Sequence, residues 1–414
     1  MAQKRKPNLF PVVKNHIKRA ATFAWDKLLI DPRSKVNQKL DFHFAINMLF
    51  LGILSGMKNL REIETFSEIC SERIPDTTLN NLVIEVDAEP LRDVLVKEVK
   101  AALRAHELPK EQFPVRLTAI DGKCLSVSTQ SVGAFSQKSV CNGSVQYLNR
   151  ALRAFHVSND TTLCIGQREI LGKSAETSEF QPFVQNLIQD YGSTSLLEVI
   201  SVDAGMTSKA NADFLVSQNL DYIMALKGGQ QTLLANATAL LGSRTEPDKV
   251  TSEQTNGKSV TREFYRCQVA DKDQHGWTHL KEFWRINQTS ITLSSGKHEV
   301  EQRYFLSSLS HTTLNNAQAM QAIRMHWRIE NNGNWITDTA FQEDDAPFAN
   351  HALVLISLLR MLAYNILSRL KNRRLRQAQA RTMSLTGIMK QIEHAVAQLL
   401  LFAHLTQEEQ PAFI

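Results

Sequence analysis

The spacing of apolar positions changes character along the chain of 414 residues. Over the first 110 it recurs every three or four residues. "DFHFAINMLFLGILSG" predicts a packed helix stopped near Gly56, and "NLREIETFSEIC" and "EPLRDVLVKEVKAALRAHEL" predict two more; "PDTTLNNLVIEV" is ambiguous. The Pro-bounded "LPKEQFPV", Leu108 to Val115, marks a domain boundary. Beyond it short apolar runs predict strands. "VRLTAID" ends in Asp121, "LLEVISVDAG" ends in Asp203, and "DYIMALK" stops at Gly228-Gly229. "VQYLNRALRAFHVS" and "TLCIGQREI" read as neighbouring strands, although the first has enough Ala and Leu to pass for a helix. "SEFQPFVQNLIQDYG" and "TSKANADFLVSQNL" are helical, the latter with Thr207 or Ser208 as its N-cap. Strands followed by helix–strand alternation imply an α/β mixed sheet with helices on its faces. From about Gln230 to Ser310, "KSVTREFYRCQVAD", "LKEFWRINQ" and "VEQRYFLSSLS" predict antiparallel strands inserted before the next helix.

Composition adds little to this picture. The 43% hydrophobic content, with 19 Phe, supports packed interiors and excludes a disordered or collagen-like chain. Cys70, Cys124, Cys141, Cys164 and Cys267 form no CxxC pair, and the lysine-rich start is not a secretory signal, so a reduced, cytoplasmic setting is expected. "ALVLISLLRMLAYNIL" contains Arg360 and predicts a buried helix rather than a membrane span.

Charge changes the picture more. Met1 to Leu40 holds ten Lys and Arg against two Asp, and "SRLKNRRLRQAQART", Ser368 to Thr382, holds six and no acid. Basic ends therefore flank a mildly acidic middle, an arrangement suited to nucleic-acid phosphates as well as to solvated helix faces.

The candidate chemistry is carboxylate. Asp121 and Asp203 each stand where an apolar strand meets glycine, a common ligand position in layered α/β sheets. Two such acids side by side call for protonation or a cation, and Mg2+ prefers oxygen donors and combines with phosphate. A third acid comes from "AIRMHWRIENNGNWITDTAFQEDD", Ala322 to Asp345, which gathers Glu330, two Trp and three Asn before ending in a burst of acid. In a helix, Met320, Ile323 and Trp327 form an apolar stripe, while His326, Glu330 and Asn334 recur every four residues on another face. Gly333 predicts a bend. A capped, partly buried helix with Glu330 paired to Arg324 or Arg328 fits the same residues. Three acids of this kind suit phosphodiester cleavage with two metal ions. Ser126, Ser128, Cys124 and His156 show no recognisable nucleophile–base arrangement and form a weak alternative.

"AIDGK", "VISVDAGMTSKANADFLVSQNLDYIMALKGGQ" and "HWRIENNGNWITDTAFQEDD" together resemble the DDE transposases of the ISAs1 insertion-sequence family, the H-repeat-associated proteins. The resemblance spans nearly the whole chain. It implies an RNase H-like core over 114–229 and 311–370, a β-rich insertion over 230–310, an N-terminal helical region over 1–110 and a basic tail or helix over 371–414. It implies that Asp121, Asp203 and Glu330 bind two Mg2+, for which Mn2+ substitutes, at a transposon end. Lys227, Asn331, Asn334 and Asp338 become supporting residues, and Trp327 and Trp335 pack or contact DNA. Arg324 and Arg328 are phosphate-binding candidates. Lys4, Arg5 and Lys6 belong to the region expected to recognise DNA ends, where Pro7 and Pro11 rule out one uninterrupted helix. Arg373, Arg374 and Arg376 are candidates for gripping flanking or target DNA. The implied partners are double-stranded DNA bearing terminal inverted repeats and target DNA, in a multimeric complex without a membrane. Four positions depart from the family pattern. Cys124 replaces a Thr, Gly229 an Asn, Asn334 a His, and Thr339 a usually apolar residue. None removes a proposed metal-binding acid. A metal nuclease without strand transfer and a noncatalytic DNA-binding regulator are the competing expectations.

Overall fold

A computed structural model describes residues 23, 25–34, 38–70, 72–108, 113–158, 161–277, 279–343, 352–374 and 383–405. The N-terminal part is helical, with α1 over Phe42–Leu54, α2 over Leu60–Cys70, α3 over Asp76–Glu85 and α4 over Pro90–Arg104. The ambiguous segment is thus the helix α3. Asp41 starts α1 by accepting a hydrogen bond from the Phe44 amide (2.7 Å), satisfying one of the donors a helix start leaves open. α1 is apolar on nearly every side because it is covered on nearly every side.

The strands form one mixed sheet. In chain order they are β1 (Leu117–Ser128), β2 (Ser136–Cys141), β3 (Ser144–Val157), β4 (Thr162–Ile170), β5 (Val199–Val202), β6 (Asp221–Leu226), β7 (Lys249–Thr255), β8 (Lys258–Gln268), β9 (Glu282–Thr292) and β10 (His298–Ser307). Across the sheet they run β2-β3-β1-β5-β6-β10-β9-β8-β7, with β4 also paired to β3. β3 runs antiparallel to β1 and β4, while β1, β5 and β6 are mutually parallel. The helices α5 (Glu176–Tyr191) and α6 (Lys209–Ser217) supply the crossovers that parallel strands require. This is the RNase H-like arrangement, preceded by the helical region. Ser208 is the N-cap of α6, accepting from the Asn211 amide.

One expectation needs correction. β1 does not end at Asp121. It continues through Gly122 to Ser128, paired along its length with β3 except at a bulge between Cys124 and Ser126. Within the span from Gln230 to Ser310 a helix, α7 (Gln231–Leu241), precedes β7 and packs on β8 and β9. Tyr304–Ser307 of β10 pair with β6, so the inserted strands extend the central sheet.

Alternation along the strands divides the interior in two. Leu117 and Ala119 of β1, Phe155 of β3 and Val199 of β5 face the core shared with α1 to α4 and with α10 (Ala352–Arg369). Ile120, Leu152, Ala154, Ile200 and Val202 face the second core, shared with α5 and α6. α10 is long and apolar enough to cross a membrane, but 83% of its apolar window is buried inside the protein, so it is a core helix, as expected. The last helix, α11, spans Leu385–Leu405.

Candidate functional site

Asp121 and Asp203 take the side of the sheet that strand alternation assigns them. Both continue the odd-numbered set, Leu117–Ala119 and Val199–Ser201, that faces α8 (Asn316–His326) and the chain after it. Each aspartate is fixed by backbone amides that follow it, within the strand at Asp121 and in the turn after β5 at Asp203. The Gly122 amide donates to Asp121 Oδ1 (2.8 Å), and the Gly205 and Met206 amides donate to Asp203 Oδ1 (3.0 and 3.3 Å). Thr207 Oγ1 donates to the carbonyls of Asp203 (3.0 Å) and Ala225 (2.8 Å), tying the Asp203 loop to β6.

Glu330 reaches the same end of the sheet from a helix that changes its winding. Asn315 and Gln318 form a reciprocal cap at the start of α8, which ends at His326; Ile329–Asn334 then form a π-helical turn before α9 (Trp335–Ala340). The turn lies between Phe155 and Tyr364, whose rings meet edge-on with centroids 5.8 Å apart. Tyr364 Oη donates to the Asn332 carbonyl (2.6 Å), and a Cβ at Gly333 would come within 3.0 Å of the Phe155 ring. Gly333 is thus a site of close approach. His326 and Asn334 turn inward as the four-residue spacing predicts, whereas Glu330 stays exposed. His326 Nδ1 sits 2.6 Å from Ser201 Oγ, and burial pushes its pKa down to about 4, so the ring is neutral. Asn334 Nδ2 donates to Asp121 Oδ2 (3.3 Å).

These acids act on one another. The Asp121 carboxyl is pushed up to about 7, first by burial, then by the negative charges of Asp203 and Glu330, with Glu176 adding a smaller push and the Gly122 N–H opposing. Glu176 was not singled out in the sequence. It opens α5, which the sequence reading started later at Ser178, and nothing in its local spacing marks it. Its own carboxyl is raised by burial and then by Asp203.

The donor chemistry, oxygen atoms of several acids around a half-buried one, fits a hard divalent cation. Among the described residues, however, no group of three or more His, Cys, Asp or Glu is closed up as a ligand set. A pH test follows from the Asp121 shift. A carboxyl whose pKa is raised on folding makes the folded state bind the extra proton, so this group costs stability as pH rises from 3.8 through about 7. In chelator, Asp121→Asn is expected to gain melting temperature over the wild type as pH rises from 4 to 8. A difference that stays flat across that range would mean that neither burial nor the neighbouring acids raise this carboxyl.

The other candidates distribute as follows. Lys123 Nζ pairs with Asp338 Oδ1 (2.5 Å), joining β1 to α9. Asn331 Nδ2 donates to the Trp327 carbonyl (3.0 Å), inside its own turn and not onto an acid. Arg324 forms a two-pronged pair with Glu253 of β7 (3.0 and 3.1 Å), not with Glu330. Arg328 donates to the Ser158 carbonyl. The Trp327 ring lies 4.1 Å beneath the Arg303 guanidinium, and Trp335 is 60% exposed. Lys227 is exposed immediately after β6. Arg373 and Arg374 close the turn Leu370–Arg374, while Lys4, Arg5, Lys6 and Arg376 lie outside the described residues. Of the departures, Cys124 sits at the β1 bulge with its Sγ donating to the Ser126 carbonyl (3.5 Å); a side chain at Gly229 would meet open space; and Thr339 Oγ1 donates to the Trp335 carbonyl. The nucleophile alternative fails on geometry. His156 pairs with Thr118 and Ser126 with Asn149, about 25 Å apart along β1 at the usual rise per residue.

Residues 113–366 match the family model described as a transposase DDE domain. In Escherichia coli strain K12 the chain is similar to YbfL, at 26% identity, and to the H repeat-associated YhhI, at 29%; each alignment covers 81% of this chain and 86% of the relative. YncI of strain O157:H7 is 24% identical over 82% of this chain and 84% of its own. A piggyBac transposase in a synaptic complex with hairpin DNA aligns over 99% of this chain and 81% of its own, at 11% identity and a TM-score of 0.46, too low to bear on fold or function. With more than half of its length matched by that model, and with the ordered motifs carried on an RNase H-like sheet, the chain belongs to the DDE transposases, a family of metal-using enzymes that act on DNA.

Proposed function

We propose that the protein is an ISAs1-type transposase that cleaves insertion-sequence ends and transfers the resulting 3'-hydroxyl into target DNA. The observation that supports this reading best is the coupling of three acids from three separate elements, with Asp203 and Glu330 both acting on Asp121. Two Mg2+, or Mn2+ in their place, held by Asp121, Asp203 and Glu330, would supply an activated water or 3'-hydroxyl and stabilise the departing oxygen.

The chain's own residues prepare for that chemistry. The backbone amides on Asp121 and Asp203 each hold one carboxylate oxygen, which fixes the orientation of the other. Asn334 braces Asp121, so the Asn found where the family usually has His keeps a donor at this position. The Lys123–Asp338 pair holds α9 to β1 close beside the acids. Lys227, at the end of β6, and the exposed Trp335 are open to the DNA backbone or bases. Arg324 and Arg328 are engaged within the protein and serve DNA less directly than the sequence suggested. The basic N-terminal segment with Lys4, Arg5 and Lys6, and the Arg373, Arg374 and Arg376 cluster, supply phosphate contacts in a multimeric, cytoplasmic DNA complex.

The test uses purified protein with labelled DNA carrying the terminal inverted repeats that flank the gene, incubated with Mg2+ and then Mn2+. Cleavage at the repeat ends followed by joining to a target duplex is expected. Cleavage without joining would make the protein a nuclease, and binding with neither would make it a regulator.

A further inference from the structure

We propose that Glu176 is a fourth acidic member of the same site, contributing an oxygen ligand to a hard divalent cation from the side of β1 opposite Glu330. The proposal rests on reading Asp121, Asp203 and Glu330 as cation-binding acids. Its own support is geometric.

Glu176 is 5% exposed, yet among the described residues no hydrogen bond or ion pair reaches its carboxylate. Two glycines make room for it. A Cβ on Gly122, the residue after Asp121, would collide with Glu176 Oε1. A Cβ on Gly205 would lie 3.4 Å from Glu176 Oε2 and 3.2 and 3.5 Å from the two oxygens of Asp203. One carboxylate therefore lies against the glycines that follow both aspartates, Gly122 within β1 and Gly205 in the turn after β5, with an oxygen toward each glycine. Thr177 Oγ1 donates to the Gly205 carbonyl (2.9 Å), so the first turn of α5 is pinned to the Asp203 loop and the carboxylate is held there. Lys173 and Arg150 act on Glu176 only through space.

A second side chain, on the other wall, has the same character. Asn334 is 8% exposed; its Nδ2 rests on Asp121, and its Oδ1 has no hydrogen-bond partner. A purely structural role for position 176 would favour an apolar residue or a paired acid, because a largely buried acid beside two aspartates works against folding. A cation bridging Asp203 and Glu176 gives the arrangement a purpose, and oxygen-only donors select hard ions of the Mg2+ and Mn2+ type.

The experiment measures Mn2+ binding to the full chain in the absence of DNA, by electron paramagnetic resonance of free Mn2+, together with melting temperature in chelator. Glu176→Gln is expected to weaken Mn2+ binding about tenfold or more and to raise the metal-free melting temperature, because it removes an uncompensated charge without changing shape. Glu176→Asp, which keeps the charge but withdraws it by one methylene, is expected to bind Mn2+ with intermediate affinity. Glu179→Gln, one turn further along α5 and paired to Arg168, leaves binding unchanged. If both Glu176 variants bind Mn2+ as the wild type does while Asp203→Asn does not, the proposal is overturned and the three-acid reading survives. If Asp203→Asn also binds normally, the cation site itself is disproved and the proposal falls with it.

Discussion

Asp203→Asn is expected to lower Mg2+-dependent cleavage of terminal-repeat DNA by at least about 10³-fold, the scale seen when one member of a catalytic unit is removed, while DNA binding stays within a few-fold of the wild type. The separation of the two effects follows from how Asp203 is held. Its Oδ1 accepts from the Gly205 and Met206 amides, and the carbonyl oxygen of an asparagine accepts the same two bonds. The loop and its tie to β6 through Thr207 are therefore preserved, and what disappears is charge and one anionic oxygen. Binding is not expected to suffer, because on the proposed reading phosphate contacts come from basic residues elsewhere, and one less negative charge beside the phosphate favours association. Rates on labelled ends, with gel-shift affinity measured on the same DNA, check this. Cleavage by the variant at more than a tenth of the wild-type rate would show that Asp203 is not one of the working acids. Parallel loss of binding and cleavage would instead point to a broken fold.

The aspartates were legible because their signal is local. An apolar strand running into glycine is visible in "AIDGK" and "SVDAG", and strand alternation then decides which face each acid takes. The continuation of β1 was not legible, because "GKCLSVS" looks like a turn followed by polar chain; it is extended only because β3 is long enough to pair with it. The four-residue spacing of His326, Glu330 and Asn334 fits a regular helix with a bend at Gly333, whereas Ile329–Asn334 wind as a π-helical turn. The π-helical turn, set by close packing of Gly333 on Phe155, keeps Glu330 exposed while its two companions are buried. What sequence reading missed was long-range. The Arg324 partner, Glu253, is 71 residues away, and Glu176 meets the aspartates only because α5 starts against two glycines from different strands. The burst of acid after Phe341 carries no local signal that separates its members. At least Glu343 belongs to the core, and its partner lies 190 residues away.

That partner sets up the largest stability effect. Arg153, on β3, is wholly buried; its guanidinium pairs through two nitrogens with both oxygens of Glu343 (2.8 and 2.6 Å) and also reaches Gln167 and Ser357. Burial works to raise the Glu343 carboxyl, but Arg153 beside it, with Arg360 adding to it, holds it down at about 2. Removing one partner leaves the other charge buried without compensation, so Glu343→Gln is expected to cost roughly 3–5 kcal/mol of stability. The double variant Arg153→Met with Glu343→Leu should regain part of that, because an apolar pair of similar volume needs no compensation of its own while Gln167, Ser357 and Arg360 lose a partner. The pH dependence has a definite sign. A depressed carboxyl contributes its full stability above its unfolded value of 4.5 and loses it as pH falls toward 2, so the penalty of Glu343→Gln should be flat above about pH 5 and shrink in acid. Urea unfolding across this pH range measures it. The pair also bears on the site, because Arg153 stands opposite Asp121 in the strand register and Glu343 follows the acid-bearing segment by a few residues. The double variant therefore separates two effects. If it is stable but slow in cleavage, the ion pair positions Glu330 over the sheet. If it is stable and fully active, the pair serves folding alone, and the acidic segment is placed by Gly333, Tyr364 and Asn334 without it.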